Sequence, residues 1–410
     1  MIKVFIATNG CEEASLDAQK LKNIVSGTNY VCTNDPMVAD IIVFYACGLL
    51  RAKEHESVRM IKKLMSLKKI SGKLVVFGCL TKINPEAIRS IFKGCMIGPE
   101  EWDFFCDLFN QSEERIHNVH GNELCAVSKL GNPYPHLRAP FRWLNILLDE
   151  LEVGRDKSKR NWYIKIITGC REKCTYCSDR LAFKQCGSQP IDTIIAQFEL
   201  GLKRGFKNFY LVGRDLGSYG YDIGSDLPTL LKKMLENHCA ENYKLHLYNL
   251  SPRSLVDFYP KLKDQFSSGK ISQIGSHVQS GSDRILGLMG RRYSTNEWLK
   301  TLKEIREKYP DIRLVTSIMV GFPTETVQDF EKSMELLDSP LFEQFDLYAY
   351  EGKPNSPSLR LGELVPQKVK KRRLVRMRRK VMLNYIKNIR RIEIGHLIRT
   401  LISYIDLLVD

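Results

Sequence analysis

Three apolar runs in the first hundred residues, each followed closely by a cysteine, constrain the fold more than any other feature of this sequence. The runs and their cysteines are Lys3–Ala7 before Cys11, Asp40–Ala46 before Cys47, and Lys73–Gly78 before Cys79. Near-continuous apolar runs are typical of strands buried on both faces of a parallel sheet. Helical patterns at Ser15–Val25 and Arg51–Lys69 separate the runs and predict right-handed βαβ units. Residues 1–125 are therefore predicted to form an α/β domain on a parallel sheet.

The three cysteines are expected to lie close together in this domain. Parallel strands present their carboxyl ends at one edge, where open α/β sheets place their ligands. Neighbouring strands are only about 4.8 Å apart. We therefore predict that Cys11, Cys47 and Cys79 bind one metal cluster, the alternative being that each is an ordinary buried apolar cysteine. The remaining cysteines outside the two sets show no such arrangement and receive no role: Cys32, Cys95, Cys106, Cys125, Cys186 and Cys239.

A second set of cysteines forms a Cys-x3-Cys-x2-Cys triplet in a short polar loop after an apolar strand. Its members are Cys170, Cys174 and Cys177. Three thiolates can hold three irons of a [4Fe–4S] cluster, and the fourth iron can then bind a small molecule. A structural zinc site is the main alternative, but such sites usually need four ligands in paired Cys-x2-Cys units. The chain has no second Cys-x2-Cys pair, so the triplet predicts an iron–sulfur cluster.

From residue 161 to residue 365, short apolar strands alternate with helical segments. The predicted strands are Tyr163–Ile167, Asn208–Gly213, Lys244–Leu250, Ile274–Val278, Arg313–Val320 and Phe345–Tyr350. Six such units predict an open (β/α)6 partial barrel, and residues 126–160 are predicted to be a linker. Barrels of this type place their chemistry on loops at the carboxyl ends of the strands, where Cys170, Gly213, Gln279 and Gly321 fall.

The carboxyl-terminal segment, residues 366–410, holds most of the excess positive charge. The chain has a net charge of +15, and twelve basic residues but no acidic one lie between Pro366 and Arg391. This charge favours an acidic partner such as nucleic acid or an acidic peptide. Apolar residues at helical spacing predict a helix that packs by one face: Val369, Leu374, Met377, Val381 and Tyr385. A strand-like stretch, Leu397–Tyr404, is expected to follow.

The bulk composition is that of an ordinary globular protein. No apolar run approaches the roughly 18–20 residues that a membrane span needs, and the amino terminus resembles a strand more than a signal peptide. Twelve cysteines without a secretory signal favour reduced thiols and metal ligands over disulfides. We therefore expect a cytoplasmic, oxygen-sensitive monomer without membrane contact.

Together these motifs resemble the radical S-adenosylmethionine (SAM) methylthiotransferase family. The triplet, with Tyr176 before its last cysteine, matches the radical SAM signature. Four further family-like runs follow in order: Gly213–Gly220, Val278–Leu286, Met289–Tyr293 and Val320–Thr326. The resemblance implies an auxiliary [4Fe–4S] cluster on the amino-terminal domain and a radical SAM core over residues 161–365. The family normally ends in a small β-barrel, the TRAM domain, which the 16 residues from Gly395 to Asp410 cannot form, so this barrel is expected to be absent or vestigial.

The resemblance also implies the cofactors and their contacts. They are two [4Fe–4S] clusters and SAM, which binds the open iron of the triplet cluster and is cleaved to a 5′-deoxyadenosyl radical. Backbone around Leu211–Gly213 would meet the SAM amino group, His277 and Gln279 the ribose, and Met319–Gly321 the adenine, with Tyr176 also among the cofactor-binding residues. An electron donor such as flavodoxin or ferredoxin is the expected redox partner.

The substrate is the least constrained feature. Branches of the family modify an adenosine next to the tRNA anticodon or an aspartate of a ribosomal protein. Two positions in the loop after Cys177 that usually carry arginine are here Phe183 and Gln189, ahead of Pro190. With the missing barrel, this departure favours methylthiolation of a peptide or protein side chain, with a tRNA adenosine as the alternative. A two-cluster enzyme without sulfur insertion and a non-catalytic RNA-binding protein are further alternatives.

Overall fold

The computed structural model describes residues 1–26, 28–124, 128–129, 139–140, 143–144, 147, 161–236, 238, 241–387 and 394–409. The chain divides into two compact units. Unit 1 comprises Met1–His136, Tyr163–Lys165 and Ser178–Gln185, and unit 2 comprises Leu137–Trp162, Ile166–Cys177 and Cys186–Asp410. The predicted linker, residues 126–160, lies almost wholly outside the described residues, as do Cys125 and Cys239.

Unit 1 is an α/β domain on a parallel sheet, as the sequence predicts. Its elements are β1 Ile2–Thr8, α1 Glu12–Val25, β2 Tyr30–Thr33, β3 Ile41–Tyr45, α2 Arg51–Leu67, β4 Lys73–Phe77, α3 Leu80–Ile83, α4 Pro85–Arg89, β5 Cys95–Ile97, α5 Phe104–Phe109, α6 Glu113–Asn118, β6 Ser128–Lys129 and, from later in the chain, α7 Asp179–Ala182. The strand order is β2-β1-β3-β4-β5, and β6 also pairs with β1. Each of these pairings is parallel.

Both faces of this sheet are buried, which explains the near-continuous apolar runs. Alternate residues along a strand point to opposite faces. One face carries residues such as Val43 and Val75 into a core with α1, α5 and α6. The other face carries residues such as Phe44 and Val76 into a second core with α2. A strand with water on one side would instead show polar residues at every second position.

A second six-stranded sheet has the order β14-β13-β12-β11-β10-β7, and its strands belong to unit 2 except for Tyr163–Lys165 of β7. The elements of this part of the chain are β7 Asn161–Lys165, β8 Ile167–Thr168, β9 Gly187–Ser188, α8 Ile191–Lys203, β10 Asn208–Val212, α9 Leu227–Glu236, β11 Lys244–Leu247, α10 Pro252–Ser267, β12 Ile271–Gly275, α11 Asp283–Leu288, α12 Thr295–Lys308, β13 Arg313–Val320, α13 Val327–Leu336, β14 Gln344–Ala349, α14 Gln367–Lys387 and α15 Ile394–Val409. Short 3₁₀ helices lie at Leu216–Ser218, Tyr221–Ile223 and Pro357–Arg360.

The six predicted strands of this region are confirmed, with ends shifted by a few residues. Strands β10 to β14 pair in parallel with their sequence neighbours. Helices lie between successive strands, so the architecture is the open β/α arrangement of a partial barrel, and the sheet does not close. All five loops after β10 to β14 therefore leave from the same edge of the sheet.

The carboxyl-terminal segment contains two helices, and the predicted strand is wrong. Residues Leu397–Tyr404 lie inside α15, which packs against α14. An eight-residue apolar stretch cannot be assigned to strand or helix by its pattern alone. Here the helix continues to Val409, buries Ile402 and accepts a hydrogen bond from Arg378 Nη1 at the Ser403 carbonyl oxygen, 2.8 Å away.

The other helix, α14, is hereafter the basic helix, and its predicted apolar face is confirmed. Leu374, Met377, Val381 and Tyr385 are all buried, whereas Val369 is half-buried. The Tyr385 hydroxyl accepts a hydrogen bond of 2.8 Å from the backbone N–H of Phe345 on β14. The helix therefore packs on the edge of the unit 2 sheet. Among the described residues, no helix combines the length and apolarity needed to cross a bilayer.

Basic side chains also hold this helix to the loop after β13. Arg373 pairs with the Glu325 carboxylate, and its Nη1 donates to the Glu325 carbonyl oxygen at 3.1 Å. The Glu325 side chain is 0% exposed and that of Arg373 is 9% exposed. Lys370 Nζ donates to the Tyr350 carbonyl oxygen at 3.0 Å. A buried ion pair of this kind depends on both partners, because either charge alone would be buried without compensation.

We expect Arg373→Met to destabilise unit 2 by about 3–5 kcal/mol, because it leaves the Glu325 carboxylate buried and unpaired. In a thermal unfolding scan this corresponds to a fall in Tm of about 6 °C or more. The matched control is Arg379→Met on the exposed face of the same helix, which should cost no more than about 0.5 kcal/mol. Equal effects of the two substitutions would show that the ion pair does not hold the helix.

Candidate active site

The loops that carry Cys11, Cys47 and Cys79 leave neighbouring strand ends in unit 1. Thr8 pairs with Tyr45, and Tyr45 pairs with Phe77, so β1, β3 and β4 end at the same level. Each cysteine follows its strand by two or three residues. The Leu80 backbone N–H donates to the Ala46 carbonyl oxygen at 3.1 Å, which joins the second and third loops beyond the sheet.

Buried polar contacts fix the first two loops to each other. The Asn9 side-chain oxygen accepts a hydrogen bond of 3.1 Å from the Cys47 backbone N–H. Ser57 Oγ on α2 donates to the Cys47 carbonyl oxygen at 2.8 Å. Both Asn9 and Ser57 are buried, and they also bond to each other at 2.9 Å. The position of Cys47 is therefore set by Asn9, two residues before Cys11, and by Ser57 on a distant helix.

The strand order places the cysteine loops of unit 1 at the position where open α/β sheets bind ligands. In the order β2-β1-β3-β4-β5, chain direction across the sheet reverses between β1 and β3. The crevice outside the carboxyl ends at such a switch point is the usual binding site. Cys11 and Cys47 follow the two strands that flank it. Cys11 also precedes the first turn of α1, where the helix dipole favours negative charge such as a thiolate.

A tyrosine that the sequence analysis missed lies against the third cysteine. The Tyr45 hydroxyl is 3.3 Å from Cys79 Sγ, and both residues are buried. Gly78 makes this contact possible, because its φ is +107° and an added Cβ would lie 2.5 Å from the Tyr45 ring. A ligating cysteine is a thiolate, so the hydroxyl would then donate to sulfur, and such hydrogen bonds tune cluster potentials. The only signal in the sequence is that Tyr45 carries the sole hydroxyl in the run Asp40–Ala46.

The loop after the triplet contributes to the core of unit 1. Phe183 is 7% exposed and belongs to the same apolar cluster as Cys79, with Cys11 packed against that cluster. The Lys184 backbone N–H donates to the Glu100 carboxylate at 3.0 Å. Phe183 is therefore a core residue rather than a substrate contact. Gln189 lies in unit 2, where its side-chain oxygen accepts a hydrogen bond of 2.8 Å from Gln197.

The triplet itself lies in unit 2, directly after β8. Gly169, with φ of +77°, turns the chain from the strand into the cysteines. Cys174 is buried, while Cys170 and Cys177 are half-buried. Burial raises the pKa of Cys170, and the nearby Asp215 carboxylate raises it further, as do the other two cysteines. Three thiolates in this environment need a compensating cation.

Neighbouring segments of unit 2 hold the triplet loop in place. The Thr175 backbone N–H donates to the Met289 carbonyl oxygen, and Thr175 Oγ1 to that of Leu288, both at 2.9 Å. Ser356 Oγ donates to the Thr175 carbonyl oxygen, also at 2.9 Å. Gly290 has φ of +77°, and a Cβ there would lie 3.0 Å from the Lys173 carbonyl oxygen. The family-like run Met289–Tyr293 is thus a support for the cysteine loop.

Both cysteine sets suit a cluster better than a single metal ion. In the described part of the chain, no three His, Cys, Asp or Glu side chains are gathered so that they could hold one ion. A [4Fe–4S] cluster makes a different demand, because each thiolate binds a different iron. All six candidate ligands are sulfur, the soft donor that iron–sulfur clusters use. The donor chemistry therefore fits a cluster in each unit.

Gly213, predicted to meet SAM, lies beside the start of the triplet loop. An added Cβ at Gly213 would lie 2.4 Å from Ile167 Cγ2, so only glycine allows this approach. Asn249 Nδ2 donates to the Gly213 carbonyl oxygen at 2.9 Å. Leu211 is fully buried. These features agree with a close backbone approach at the end of β10.

His277 offers an unused acceptor at the end of β12. Its Nε2 lies 3.1 Å from the Tyr248 carbonyl oxygen, so this nitrogen carries the proton and donates. Nδ1 is buried and has no hydrogen-bond partner among the described residues. Burial lowers the pKa of His277, which keeps the ring neutral. A neutral ring with an unused Nδ1 lone pair suits a hydroxyl donor, such as that of a ribose.

Arg291 joins two of the predicted SAM contacts, Tyr176 and His277. Its Nε donates to the Tyr176 hydroxyl at 3.1 Å, and its Nη1 to the His277 carbonyl oxygen at 2.7 Å. Tyr176 also packs against the apolar cluster that contains Met319 and Phe322. The structure therefore gathers Tyr176, His277 and Met319 around the ends of β12 and β13.

Gln279 and Gly321 adopt left-handed backbone conformations in the same region. Gln279 has φ of +74°, which is uncommon for a residue other than glycine and is often found at functional sites. Its amide is already engaged, since Nε2 donates to Ser317 Oγ at 2.9 Å and Oε1 accepts from Tyr348. Gly321 also has φ of +74°, and its N–H donates to Glu325 Oε2 at 2.8 Å. The roles of these residues toward SAM remain predictions.

Asp329 on α13 connects two of the family-like runs, Val278–Leu286 and Val320–Thr326. Its carboxylate accepts from Ser282 Oγ at 2.6 Å and from Thr326 Oγ1 at 2.7 Å, and it pairs with Arg284. Burial alone would raise the pKa of Asp329, but the hydrogen bonds from these three side chains outweigh it and hold the pKa well below the usual range. The carboxylate therefore stays ionised at neutral pH.

Comparisons with known proteins agree with this geometry. The radical SAM superfamily matches residues 164–337, and uncharacterized protein family UPF0004 matches residues 3–98. The threonylcarbamoyladenosine tRNA methylthiotransferase MtaB of Thermotoga maritima is 27% identical over 91% of this chain and 80% of its own length. The ribosomal protein uS12 methylthiotransferase RimO of Chlamydia pneumoniae is 25% identical over 91% of this chain and 75% of its own.

Solved structures share the fold. The radical SAM methyltransferase TsrM of Kitasatospora setae superposes with a TM-score of 0.60 at 13% identity, over 87% of this chain and 75% of that one. The chain thus carries a UPF0004 domain followed by a radical SAM domain. Relatives that match most of the chain are methylthiotransferases, named for threonylcarbamoyladenosine of tRNA or for ribosomal protein uS12. The radical SAM domain implies a [4Fe–4S] cluster and SAM.

We expect Tyr45→Phe to change the reduction potential of a cluster bound in unit 1, because it removes a donor 3.3 Å from Cys79 Sγ. Losing a hydrogen bond to sulfur should make the cluster harder to reduce. Potentiometric titration followed by electron paramagnetic resonance measures this directly. Tyr30→Phe is the matched control, since its hydroxyl donates to the Leu108 carbonyl oxygen in the same unit. An unchanged potential in Tyr45→Phe would show that the contact does not reach the cluster.

We expect Asp329→Asn to destabilise the protein at neutral pH, with a difference that shrinks in acid. The folded-state pKa of Asp329 is depressed, so its stabilisation is present above the unfolded-state pKa of about 3.9 and is lost as pH falls through the folded value. Unfolding measured from pH 7 to pH 3 should therefore show the wild-type and variant curves converging below about pH 4. Parallel curves would contradict this assignment.

Proposed function

We propose that this enzyme inserts a methylthio group at a C–H bond of a tRNA adenosine beside the anticodon. The observation that carries the proposal is the pair of three-cysteine sets, one in the loops after the parallel strands β1, β3 and β4 and the other in the loop directly after β8. Three thiolates leave one iron of a [4Fe–4S] cluster without a protein ligand. Two such sets match a reaction that needs one open iron for SAM and another for sulfur.

The tRNA substrate is supported better than the peptide substrate that the sequence alone favours. The preference for a peptide rested on the expected absence of a TRAM barrel and on the altered loop after Cys177. Relatives named as threonylcarbamoyladenosine tRNA methylthiotransferases nevertheless match 91% of this chain in Thermotoga maritima and 90% in Homo sapiens. Phe183 is buried in the core of unit 1, so its difference from arginine does not alter a substrate contact within that unit.

The cysteines that would bind the two clusters are divided between the two units. Cys170, Cys174 and Cys177 would hold the cluster that binds SAM, and Cys11, Cys47 and Cys79 the auxiliary cluster. When bound, the clusters and SAM supply radical and sulfur chemistry that no side chain provides. His277 would accept a hydrogen bond from the SAM ribose through Nδ1, and the backbone at Gly213 would lie against the SAM amino group. Arg291 would position Tyr176 and the His277 backbone.

The proposal predicts two clusters and a defined product. Anaerobically reconstituted wild-type protein should hold about eight irons per chain, and Cys47→Ala about four. Incubation with SAM, a reductant and tRNA carrying threonylcarbamoyladenosine should add about 46 Da to that nucleoside, with S-adenosylhomocysteine and 5′-deoxyadenosine as co-products. Cys47→Ala should still form 5′-deoxyadenosine but not the methylthio nucleoside.

Two controls make this experiment decisive. Cys32→Ala removes a half-buried cysteine of β2 in the same unit and should keep both clusters and full activity. A uS12 fragment offered under the same conditions tests the other branch of the family. Modification of uS12 but not of tRNA would overturn the proposed substrate, and a single cluster in the wild type would overturn the mechanism.

A further inference from the structure

The outer face of the basic helix carries a line of three exposed cations. Lys368, Arg372 and Arg379 are all exposed. At 100° of rotation per residue, their directions around the helix axis fall within about 40° of one another. They span eleven residues, or about 16 Å along the axis. We call this set the basic stripe.

Five of the other seven basic residues of the helix, all except Lys371 and Lys387, make contacts within unit 2. Lys370 and Arg373 hold the loop after β13 and the end of β14, as described above. Arg376 pairs with Glu331 at 2.8 Å, and Lys380 pairs with Asp338 at 2.6 Å. Arg378 reaches the Ser403 carbonyl oxygen on α15, and burial lowers its pKa to about 10. Because these five cations make contacts within the fold, they are less available to a partner than the cations of the basic stripe.

The three cations of the basic stripe do not stabilise unit 2 in this way. Within the described part of the chain, no ion pair or hydrogen bond involves the side chains of Lys368, Arg372 or Arg379. The segment Pro366–Arg391 contains no acidic residue that could neutralise them. The apolar face of the helix already accounts for its packing. Three aligned, uncompensated charges attract a polyanion.

We propose that the basic stripe binds the phosphate backbone of the RNA substrate, an inference that rests on the proposed tRNA function. Lys and Arg contacts to phosphate position a nucleic acid without reading its sequence. One strand of a duplex carries a phosphate about every 3.4 Å of axis, so a 16 Å line of cations spans several of them. The helix thus supplies a surface that positions the RNA on unit 2.

An acidic peptide is the less suitable partner for this surface. Peptide interfaces are usually anchored by large apolar side chains in well-packed pockets. The exposed apolar residues of the helix, Leu383 and Ile386, lie a turn or more beyond Arg379, outside the basic stripe. From Lys368 to Arg379 the exposed side chains in this direction are all charged, and the apolar residue there, Val375, is half-buried. A partner that needs only charge along a line is a phosphate backbone.

The test removes the three charges and measures the salt dependence of tRNA binding. The stripe variant is Lys368→Gln/Arg372→Gln/Arg379→Gln. Its slope of log Kd against log salt concentration should fall by about two to three, and its Kd near physiological salt should rise about tenfold or more. The matched control is Lys300→Gln/Lys303→Gln/Lys308→Gln, which removes three exposed charges from α12. The control should leave both quantities unchanged.

Several readouts separate the possible failures. Iron content and Tm of the stripe variant should equal those of the wild type, and KM for tRNA should rise while turnover at saturating tRNA is retained. Equal salt slopes for the stripe variant and the control, with a wild type active on tRNA, would overturn the basic stripe alone. A wild type inactive on tRNA would overturn the proposed function together with it. Weakened binding of a uS12 fragment, with tRNA binding unchanged, would identify the stripe as a protein-docking surface and also overturn the inference.

Discussion

Parallel pairing of β1, β3 and β4 is the constraint on which the amino-terminal site depends. Because Thr8 pairs with Tyr45 and Tyr45 with Phe77, three loops start at one level and at neighbouring positions. A shift of one residue in either pairing would also turn the strand over and exchange the side chains that face the two cores. The burial of both sheet faces therefore fixes the register, and the register fixes where the cysteines can meet.

A buried ion pair has a comparable role in unit 2. Glu325 binds the backbone N–H of Gly321 on one side and Arg373 of the basic helix on the other. Gly321 has no Cβ, and one would lie 2.4 Å from Lys370 Cγ. The loop predicted to flank the adenine of SAM is thus held by the helix that carries the basic stripe. The same contacts of Glu325 therefore hold both the Gly321 loop and the basic helix, although 48 residues separate Glu325 from Arg373.

Much of the fold could be predicted because its signals are local. Strands buried on both faces show as apolar runs, and the cysteine spacing of the triplet needs no tertiary information. The strand predicted at Leu397–Tyr404 failed for a local reason as well, because a short apolar stretch has no pattern that separates strand from helix. Packing of Ile402 and Arg378 between two helices decided that case. The preference for a peptide substrate rested partly on Phe183, in a loop expected to lie near the substrate entrance, whereas the structure places this side chain in a core.

The sequence alone determined where the strands lie to within a few residues, how many thiols each set contains, and which segment is basic. Only the tertiary structure decided that the Tyr45 hydroxyl lies against Cys79, that Asn9 and Ser57 hold Cys47, and that Lys368, Arg372 and Arg379 are exposed with no ion pair or hydrogen bond among the described residues. The physical reason is distance along the chain. Apolar periodicity and cysteine spacing are patterns that extend over only a few residues. A hydrogen bond or ion pair between remote segments, in contrast, exists only after packing has set the strand register and the helix rotation.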